Sequence, residues 1–242
     1  TTKGSGTTDM HAGAGNDFLV GGGTGANKMA GGTGNDIYYV RGAGDLVIEA
    51  ANEGMDQVRA TVDYALTANV ENLMMISGGH IGTGNALNNQ IIGSIGIDTL
   101  YGGDGNDNIA GDDGNDTLSG DNGNDILMGG SGSDVLTGGS GNDIFRLTAG
   151  DLTTSTGDTI TDFLRGSDRI DLSQLDANKA TSADNAFKFI DTQNFHKVAG
   201  ELRYDIVGGD AYVYGDVNGD GVADFKLIVK GMSALSVSDF TL

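Results

Sequence analysis

An apolar residue recurs at every ninth position between residues 93 and 146. The recurring residues are Leu100, Ile109, Leu118, Leu127, Leu136 and Phe145. A period of nine is too short for a pair of helices, so each unit is expected to contain one very short strand and one turn. A unit this small buries its apolar side chain only by stacking on its neighbours. The pattern therefore predicts an all-β fold, a parallel β-roll (β-solenoid) of nonapeptides.

Glycine and aspartate occupy fixed places in these six units, which read G-G-x-G-x-D-x-U-x with U apolar. The first-position glycines are Gly93, Gly102, Gly111, Gly120, Gly129 and Gly138, and the fourth-position glycines are Gly96, Gly105, Gly114, Gly123, Gly132 and Gly141. Glycine adopts positive φ without a steric penalty, so the first six residues suit a tight turn. Ser94, Asp112 and Asp121 replace the second glycine, and Asp also tolerates left-handed geometry.

The sixth-position aspartates are predicted to form two ladders. If a full coil takes two units, units i and i+2 stack directly. One edge then carries Asp98, Asp116 and Asp134, and the other carries Asp107, Asp125 and Asp143. Carboxylates stacked roughly 5 Å apart repel by about 3 kcal/mol per pair at an effective dielectric constant of about 20. The ladders therefore need cations, and carboxylate and carbonyl oxygens without nearby His or Cys favour several Ca²⁺ ions.

This nonapeptide resembles the repeat of the repeats-in-toxin (RTX) family of haemolysin-type calcium-binding proteins. The resemblance implies that each Ca²⁺ lies between turns i and i+2, held by the sixth-position aspartates and by carbonyls of the glycine-rich turns. Asp and Gly also mark turns in loops that bind no metal. Six tandem units with three fixed positions make that alternative the weaker one.

A shorter repeat block, assigned to residues 1–40, opens the chain. Its sixth positions hold Asp17, Asn27 and Asp36, and the extra residue Gly21 interrupts the register. An Asn oxygen is neutral, so a site at Asn27 should be weaker than a site at Asp. We expect roughly one good Ca²⁺ site in this block.

Residues 41–83 lose the nonapeptide but keep strand patterning, so they are predicted to be a spacer that continues the solenoid. Gly54-x-Asp56-x-Val58 preserves the G-x-D-x-U core of the repeat. The acidic residues of the spacer, such as Glu49, are either ligands or solvated turn residues, and the second interpretation is favoured. The nonapeptide returns with Asn89 in the metal-binding position, and residues 84–146 are assigned to the main calcium-binding roll.

Residues 147–242 are assigned to a C-terminal cap. Asp158-x-Ile160 and Asp168-x-Ile170 resemble the segment that caps the roll in serralysin-type proteases. Bulky apolar residues follow, namely Phe187, Phe189, Ile190, Phe195 and Leu202. A cap is expected because the last coil of a solenoid otherwise leaves a sheet edge open. We expect a small β-rich unit with a core of its own.

One loop of the cap is a further metal candidate. Residues 216–224 place oxygens at alternate positions, with glycine after the third, as in the first half of an EF-hand loop. The candidate ligands are Asp216, Asn218, Asp220 and Asp224. Leu227 stands where an EF-hand has its final Glu, and both flanks read as strands. The loop is therefore either a Ca²⁺ loop in a β-hairpin, which we favour, or a plain acidic turn.

The two ends of the sequence bear on export. Residues 239–242 place an acidic residue before a mostly apolar tail, which resembles the C-terminal type I secretion signal of serralysins and lipases. Residues 1–10 lack a secretory signal pattern, and no apolar run is long enough to cross a bilayer. We expect an extracellular protein, exported by the type I secretion machinery and folded by Ca²⁺ outside the cell. Thr1 lacks a start Met, which suggests a fragment or a processed chain. We expect a monomeric module that forms the C-terminal part of a larger exported protein.

Composition narrows the remaining functions. The net charge is −21, and 30 of the 34 acidic residues are Asp, which argues against nucleic acid or an anionic membrane as partner. There is no Cys for disulfides and no Pro to interrupt a ladder. No zinc-protease or G-x-S-x-G pattern occurs, so the chain itself is not expected to be an enzyme. It is either a non-catalytic calcium-binding module or the part of a secreted hydrolase or adhesin that contacts its target.

Overall fold

The strands of the computed structural model follow the apolar positions of the chain. Leu118 lies between Leu100 and Leu136 in parallel strands, and Leu127 lies in the same way between Ile109 and Phe145. Stacked residues are 18 positions apart, so one coil contains two nonapeptides. The predicted parallel β-solenoid and its two-unit coil are therefore confirmed. The structure describes residues 7–22, 25–151, 157–180 and 185–242.

In these described residues the strands form three sheets. Sheet I contains, in spatial order, β2 (Phe18–Val20), β4 (Ile37–Val40), β6 (Gln57–Ala60), β8 (Asn72–Met75), β10 (Gln90–Ile92), β12 (Asn108–Asp113), β14 (Ile126–Ser131), β16 (Ile144–Arg146), β18 (Arg169–Asp171) and β23 (Phe240–Thr241). Sheet II contains β19 (Lys188–Phe189), β20 (Glu201–Val207), β21 (Asp210–Asp216), β22 (Phe225–Val229), β17 (Asp158–Ile160), β15 (Val135–Thr137), β13 (Thr117–Asn122), β11 (Thr99–Asp104), β9 (Ile81–Thr83) and β7 (Tyr64–Ala65). Sheet III contains β1 (Asp9–Ala14), β3 (Lys28–Thr33) and β5 (Leu46–Val47), and short 3₁₀ helices cover Ala149–Asp151 and Val237–Asp239.

The coil length changes where the nonapeptide pattern is lost. Asp36 and Asp56 stack across a coil of 20 residues, and Asp56 stacks on Glu71 across a coil of only 15. Strands β5 to β9 nevertheless pair in parallel with their neighbours. The spacer is thus stacked like the repeats, although its loops differ in length.

The apolar interior is continuous from the first repeats into the C-terminal region. The six eighth-position residues are at most 1% exposed, and they belong to the same cluster as Phe187 and Phe225. The expectation that the cap has a core of its own is therefore wrong. The physical reason is that the last coils continue both sheets, so the cap's apolar side chains face the end of the roll.

The C-terminal region extends the solenoid and then adds antiparallel strands. β17 stacks on β15, and β18 stacks on β16, through coils lengthened to 24 and 25 residues. β22 pairs in parallel with β17 and antiparallel with β21, which in turn pairs antiparallel with β20. The final strand, β23, pairs with β18 and forms the end of sheet I. The open end of the roll is thus covered by its own chain.

Candidate metal centre

The repeats make tight turns because residues at the second position, the fourth position or both have positive φ. The second-position glycines Gly103 and Gly130 have φ values of 99° and 101°. Asp112 and Asp121, which replace this glycine, have φ values of 75° and 68°, as the sequence predicts. The turns of neighbouring coils therefore superpose, and the sixth-position aspartate of each faces the same edge.

The sixth-position aspartates are joined from coil to coil by one of their two oxygens. The backbone N–H of Asp98 donates to Asp116 Oδ1 at 2.8 Å, and the N–H of Asp116 donates to Asp134 Oδ1 at 2.7 Å. On the other edge, the N–H groups of Asp107 and Asp125 donate to the Oδ1 atoms of Asp125 and Asp143 at 2.7 and 2.9 Å. The predicted grouping of the aspartates into two ladders is confirmed.

The second oxygen of most of these carboxylates is buried and has no hydrogen-bond partner. The residues with an orphaned Oδ2 are Asp36, Asp107, Asp116, Asp125, Asp134 and Asp143. A buried carboxylate oxygen without a partner is costly, and a metal ion is one of the few groups that offsets the cost. The donor set, carboxylate oxygens beside turn carbonyls, is the type that Ca²⁺ prefers. The residues therefore fit the ion that the repeat pattern implies.

Glycine at the first position leaves room beside the orphaned oxygen. A Cβ placed on Gly111 would collide with Asp116 Oδ2 and come close to the carbonyl oxygen of Gly129. A Cβ on Gly120 would meet Asp125 Oδ2 and the carbonyl oxygen of Gly138 in the same way. Each turn thus encloses a small space that is bordered by a carboxylate and by a carbonyl from the next coil.

Burial raises the pKa of the ladder carboxyls. It raises the pKa of Asp116 and of Asp125 to about 7, and the neighbouring carboxylates of each ladder increase the shift. The pKa of Asp107 is raised to about 6 by burial, and those of Asp134 and Asp143 are raised for the same reason. The ladders therefore hold negative charge at neutral pH only at a cost in folding free energy, and a divalent cation would remove that cost.

Asp98 differs from the other ladder members. Its Oδ2 accepts hydrogen bonds from the backbone N–H of Ser94 at 2.8 Å and from the Ser94 hydroxyl at 3.2 Å. Ser94 stands where the other units have Gly or Asp at the second position. Protein donors thus satisfy Asp98 Oδ2, so Asp98 depends less on a metal ion than Asp116 and Asp134 in the same ladder.

The amide groups of the two candidate asparagines already have protein partners at both ends. Asn89 Oδ1 accepts the N–H of Asn85 at 2.7 Å, and Asn27 Oδ1 accepts the N–H of Thr8 at 3.2 Å. Asn89 Nδ2 donates to the carbonyls of Val70 and Glu71, both at 3.1 Å. Asn27 Nδ2 donates to the carbonyls of Gly22 and Gly25, both at 3.1 Å. Neither amide therefore leaves a buried oxygen without a partner, unlike most of the ladder aspartates. This geometry does not favour the expected weak metal sites at Asn27 and Asn89.

The first repeat block places Asp17 and Asp36 on one edge. The N–H of Asp17 donates to Asp36 Oδ1 at 2.6 Å. Asp17 is half-buried, whereas Asp36 is 1% exposed. Asp36 is thus the stronger candidate of the two.

Sequence reasoning missed several buried carboxylates outside the nonapeptides. Asp158 and Asp168 extend the two ladders, because their Oδ1 atoms accept the N–H groups of Asp134 and Asp143 at 3.0 and 3.1 Å. Asp45 and Glu49 in the spacer are at most 8% exposed, so the interpretation of the spacer acids as solvated turn residues is wrong for these two. Asp56, which the G-x-D-x-U pattern already identified, is 1% exposed. The signal that would have found the other aspartates is the short pattern D-x-U, which is present in Asp45-x-Val47, Asp158-x-Ile160 and Asp168-x-Ile170.

The loop at residues 216–224 joins β21 to β22 in the expected hairpin. Its oxygens are occupied by donors of the loop itself: Asp216 accepts from Gly219 and Gly221, Asn218 from Asp220, Asp220 from Val222, and Asp224 from Val217. Within the described residues, two groups of three carboxylates are close enough to share a metal, Asp36–Glu49–Asp56 and Asp134–Asp151–Asp158, and this loop contributes to neither. The geometry therefore favours the acidic-turn alternative.

No helix in the part of the chain that the structure describes is long and apolar enough to cross a membrane.

Known proteins share both the repeats and the C-terminal region. Residues 59–242 match the family described as Peptidase M10 serralysin C terminal, and residues 4–38 and 22–46 match the RTX calcium-binding nonapeptide repeat. A segment of 100 residues is 38% identical to the endo-1,3-1,4-beta-glycanase ExsH of Rhizobium meliloti (strain 1021); it covers 41% of this chain but only 21% of that protein. The AlgE6R3 subunit of the Azotobacter vinelandii mannuronan C5-epimerase is 29% identical to this chain with a TM-score of 0.46, and the match covers 62% of this chain and 80% of that subunit. The AlgE6R2 subunit of the same epimerase is 27% identical with a TM-score of 0.43, and the match covers 66% of this chain and 91% of that subunit.

Proposed function

Because this chain belongs to the serralysin C-terminal family of peptidase M10 and carries RTX calcium-binding repeats, we propose that it folds when Ca²⁺ binds between its stacked turns after type I secretion. Both parts are non-catalytic modules in their families, and together they make the chain a calcium-binding β-roll module of a secreted protein. The proposal adds where the ions bind and what they do.

One observation supports the ion positions more than any other. Asp107, Asp116, Asp125, Asp134 and Asp143 each bury an Oδ2 atom without a partner. In each turn the first-position glycine keeps the space beside this oxygen open. We assign the ions to these spaces, with the ladder carboxylates and the carbonyls of the glycine-rich turns as ligands.

The same geometry links binding to folding. The carboxylates come together only when the coils stack, so the unfolded chain has no comparable site. An ion that binds the folded state alone stabilises it, and its binding free energy becomes folding free energy. The net charge of −21 opposes folding until cations arrive.

Export fits this order of events. β23 pairs with β18 and Phe240 is 7% exposed, so the terminal residues are accessible to a secretion machinery only while the roll is unfolded. Low calcium inside the cell would keep the chain unfolded, and higher calcium outside would fold it. The proposed location is therefore extracellular.

A second possibility is that the chain forms part of a secreted hydrolase or an adhesin. It is favoured by the peptidase family to which the chain belongs and by the match to the glycanase, of which the aligned segment covers about a fifth. The sequence of the parent protein outside these 242 residues decides this. A zinc-protease motif, a lipase elbow or long adhesive repeats would each identify a different parent.

Substitutions in the middle of each ladder test the ligand assignment. Asp116→Ala and Asp125→Ala should each raise the calcium concentration at the midpoint of folding, because each removes a carboxylate shared by two coils. The midpoint is measured by calcium titration followed by circular dichroism. Asp113→Ala, which removes an exposed carboxylate from a turn of the same roll, is the matched control and should leave the midpoint unchanged. Midpoints equal to the wild type in both ladder variants would show that the assignment is wrong.

A further inference from the structure

Three buried carboxylates that lie outside the six nonapeptides of residues 93–146 meet where the first repeat block joins the spacer. One oxygen from each of Asp36, Glu49 and Asp56 lies within 4.8 Å of the other two. Their exposed fractions are 1%, 8% and 1%. Only Asp36 belongs to a nonapeptide; Glu49 follows β5, and Asp56 precedes β6.

Two of the oxygens in this cluster have no hydrogen-bond partner. Asp36 Oδ2 and Glu49 Oε2 are both buried and orphaned. The remaining contacts fix the carboxylates in place: Asp36 Oδ1 accepts the N–H of Asp17 at 2.6 Å, and Asp56 Oδ1 accepts the N–H of Asp36 at 2.8 Å. The protein therefore orients these groups but does not satisfy them.

Glu49 occupies a position that is glycine in the regular repeat. Met29 pairs with Val47, so Gly31, the first residue of its nonapeptide, lies in register with Glu49. The Gly31 N–H donates weakly to Glu49 Oε1 at 3.4 Å. In the main roll, this position contributes only a backbone carbonyl beside the Asp carboxylate. Here it adds a carboxylate of its own.

We propose that Asp36, Glu49 and Asp56 form a further Ca²⁺ site, in which a spacer carboxylate takes the place of a turn carbonyl. Hard carboxylate oxygens from three chain segments suit the flexible coordination of Ca²⁺ better than the strict octahedron of Mg²⁺. The site connects coils of 20 and 15 residues, where the stacking is least regular. An ion there holds the first repeat block against the rest of the roll.

The electrostatics of the cluster agree with this assignment. Burial raises the pKa of Glu49 to about 7 and that of Asp56 to about 6, and the charges of neighbouring acids add to both shifts. No Lys or Arg is paired with any of the three in the described residues. A cation is thus the missing partner.

The most direct test is a crystal structure of the full chain grown with CaCl₂. We expect an ion with oxygens of Asp36, Glu49 and Asp56 at about 2.3–2.6 Å. Ions on the ladders together with an empty Asp36–Glu49–Asp56 cluster would overturn this inference and leave the proposed function intact. An ion at the cluster and none on the ladders would support this inference and contradict the ion positions of the proposed function.

Equilibrium dialysis with Ca²⁺ gives an independent readout in solution. Glu49→Gln should bind one ion fewer than the wild type, whereas Asp113→Asn, which removes an exposed charge, should bind the same number. Glu49→Asp keeps the charge with a shorter reach, and it should bind the full number at a higher calcium concentration. If Glu49→Gln binds as many ions as the wild type, the site does not exist. If Glu49→Gln fails to fold, the crystal structure of the wild type decides.

Discussion

The two oxygens of a ladder aspartate have different roles. In Asp125, Oδ1 accepts the N–H of Asp107 at 2.7 Å, which fixes the carboxylate, while Oδ2 is buried and free to bind an ion. In Asn89, the amide oxygen Oδ1 accepts the N–H of Asn85 at 2.7 Å, so this side chain has no orphaned oxygen. Asn89 donates from Nδ2 to two carbonyls of the preceding coil. A single side chain therefore decides whether a turn needs a cation.

Replacement of Asn89 by Asp should convert a self-satisfied turn into a metal-dependent one. In Asn89→Asp, an oxygen would face the carbonyls of Val70 and Glu71, and the unsatisfied groups should lower the stability without calcium by about 1–3 kcal/mol. With calcium, the variant should bind one additional ion. Equilibrium dialysis measures the number of ions, and urea unfolding in calcium-depleted buffer measures the stability.

Asn88→Asp provides the matched control for this substitution. Asn88 is exposed, and its Oδ1 accepts the N–H of Asn106 at 2.8 Å, a bond that Asp preserves. This control adds the same charge one residue away and should bind no additional ion. An equal number of ions in Asn89→Asp and the wild type would contradict the role assigned to the amide.

At the scale of elements, the last strand completes the fold rather than trailing from it. β23 pairs with β18 in sheet I, and the ring of Phe240 lies 5.3 Å from that of Phe189, measured between centroids. The N-terminal side of this strand is fixed by Asp239, which pairs with Arg165 at 3.1 Å. The tail that resembles a secretion signal is thus also a structural strand.

Truncation of Phe240 should destabilise the folded roll. Phe240→Ala removes a buried ring at the end of the core, and such changes lower the free energy of unfolding by about 3–5 kcal/mol. Urea unfolding in saturating calcium measures the effect. Val237→Ala, at an exposed position three residues earlier, should change the stability little. Equal stabilities of the two variants would mean that β23 does not cover the core.

The elements that the sequence predicts well are those with a constant period. The strands around Leu100 to Phe145 and the two aspartate ladders follow from the nine-residue spacing alone. The cluster around Glu49 could not be predicted, because coils of 20 and 15 residues hide which residues stack. The shared core of roll and cap was missed because Phe187 and Phe225 lie outside the nine-residue period, so the sequence pattern does not show what they pack against.

At the scale of the whole molecule, buried carboxylates and a net charge of −21 act together against the calcium-free fold. The pKa values of Asp116 and Asp125 are raised to about 7 by burial, whereas in the unfolded chain they are near the ordinary value of about 4. Between these values the folded state binds more protons than the unfolded state. The contribution of these two carboxyls to the stability of the calcium-free fold is therefore fully present below about pH 4 and is lost as the pH rises through about 7.

The loss of stability with rising pH should be visible in calcium-depleted buffer. β-structure measured by circular dichroism should increase as the pH is lowered from 8 to 5, since protons replace the missing cations. The double variant Asp116→Asn/Asp125→Asn should show a smaller increase than Asp113→Asn, which removes only an exposed charge. A β signal that grows with rising pH would contradict the claim that the charged ladder carboxylates destabilise the calcium-free fold.

The central claim is that Ca²⁺ between stacked turns folds this chain. The most direct measurement is the far-ultraviolet circular dichroism of the chain at neutral pH in chelator, followed by titration with Ca²⁺ and, separately, with Mg²⁺. We predict a largely disordered chain in chelator and a cooperative gain of β-structure with Ca²⁺, at far lower concentrations than with Mg²⁺. A full β signal that persists in chelator would contradict the claim.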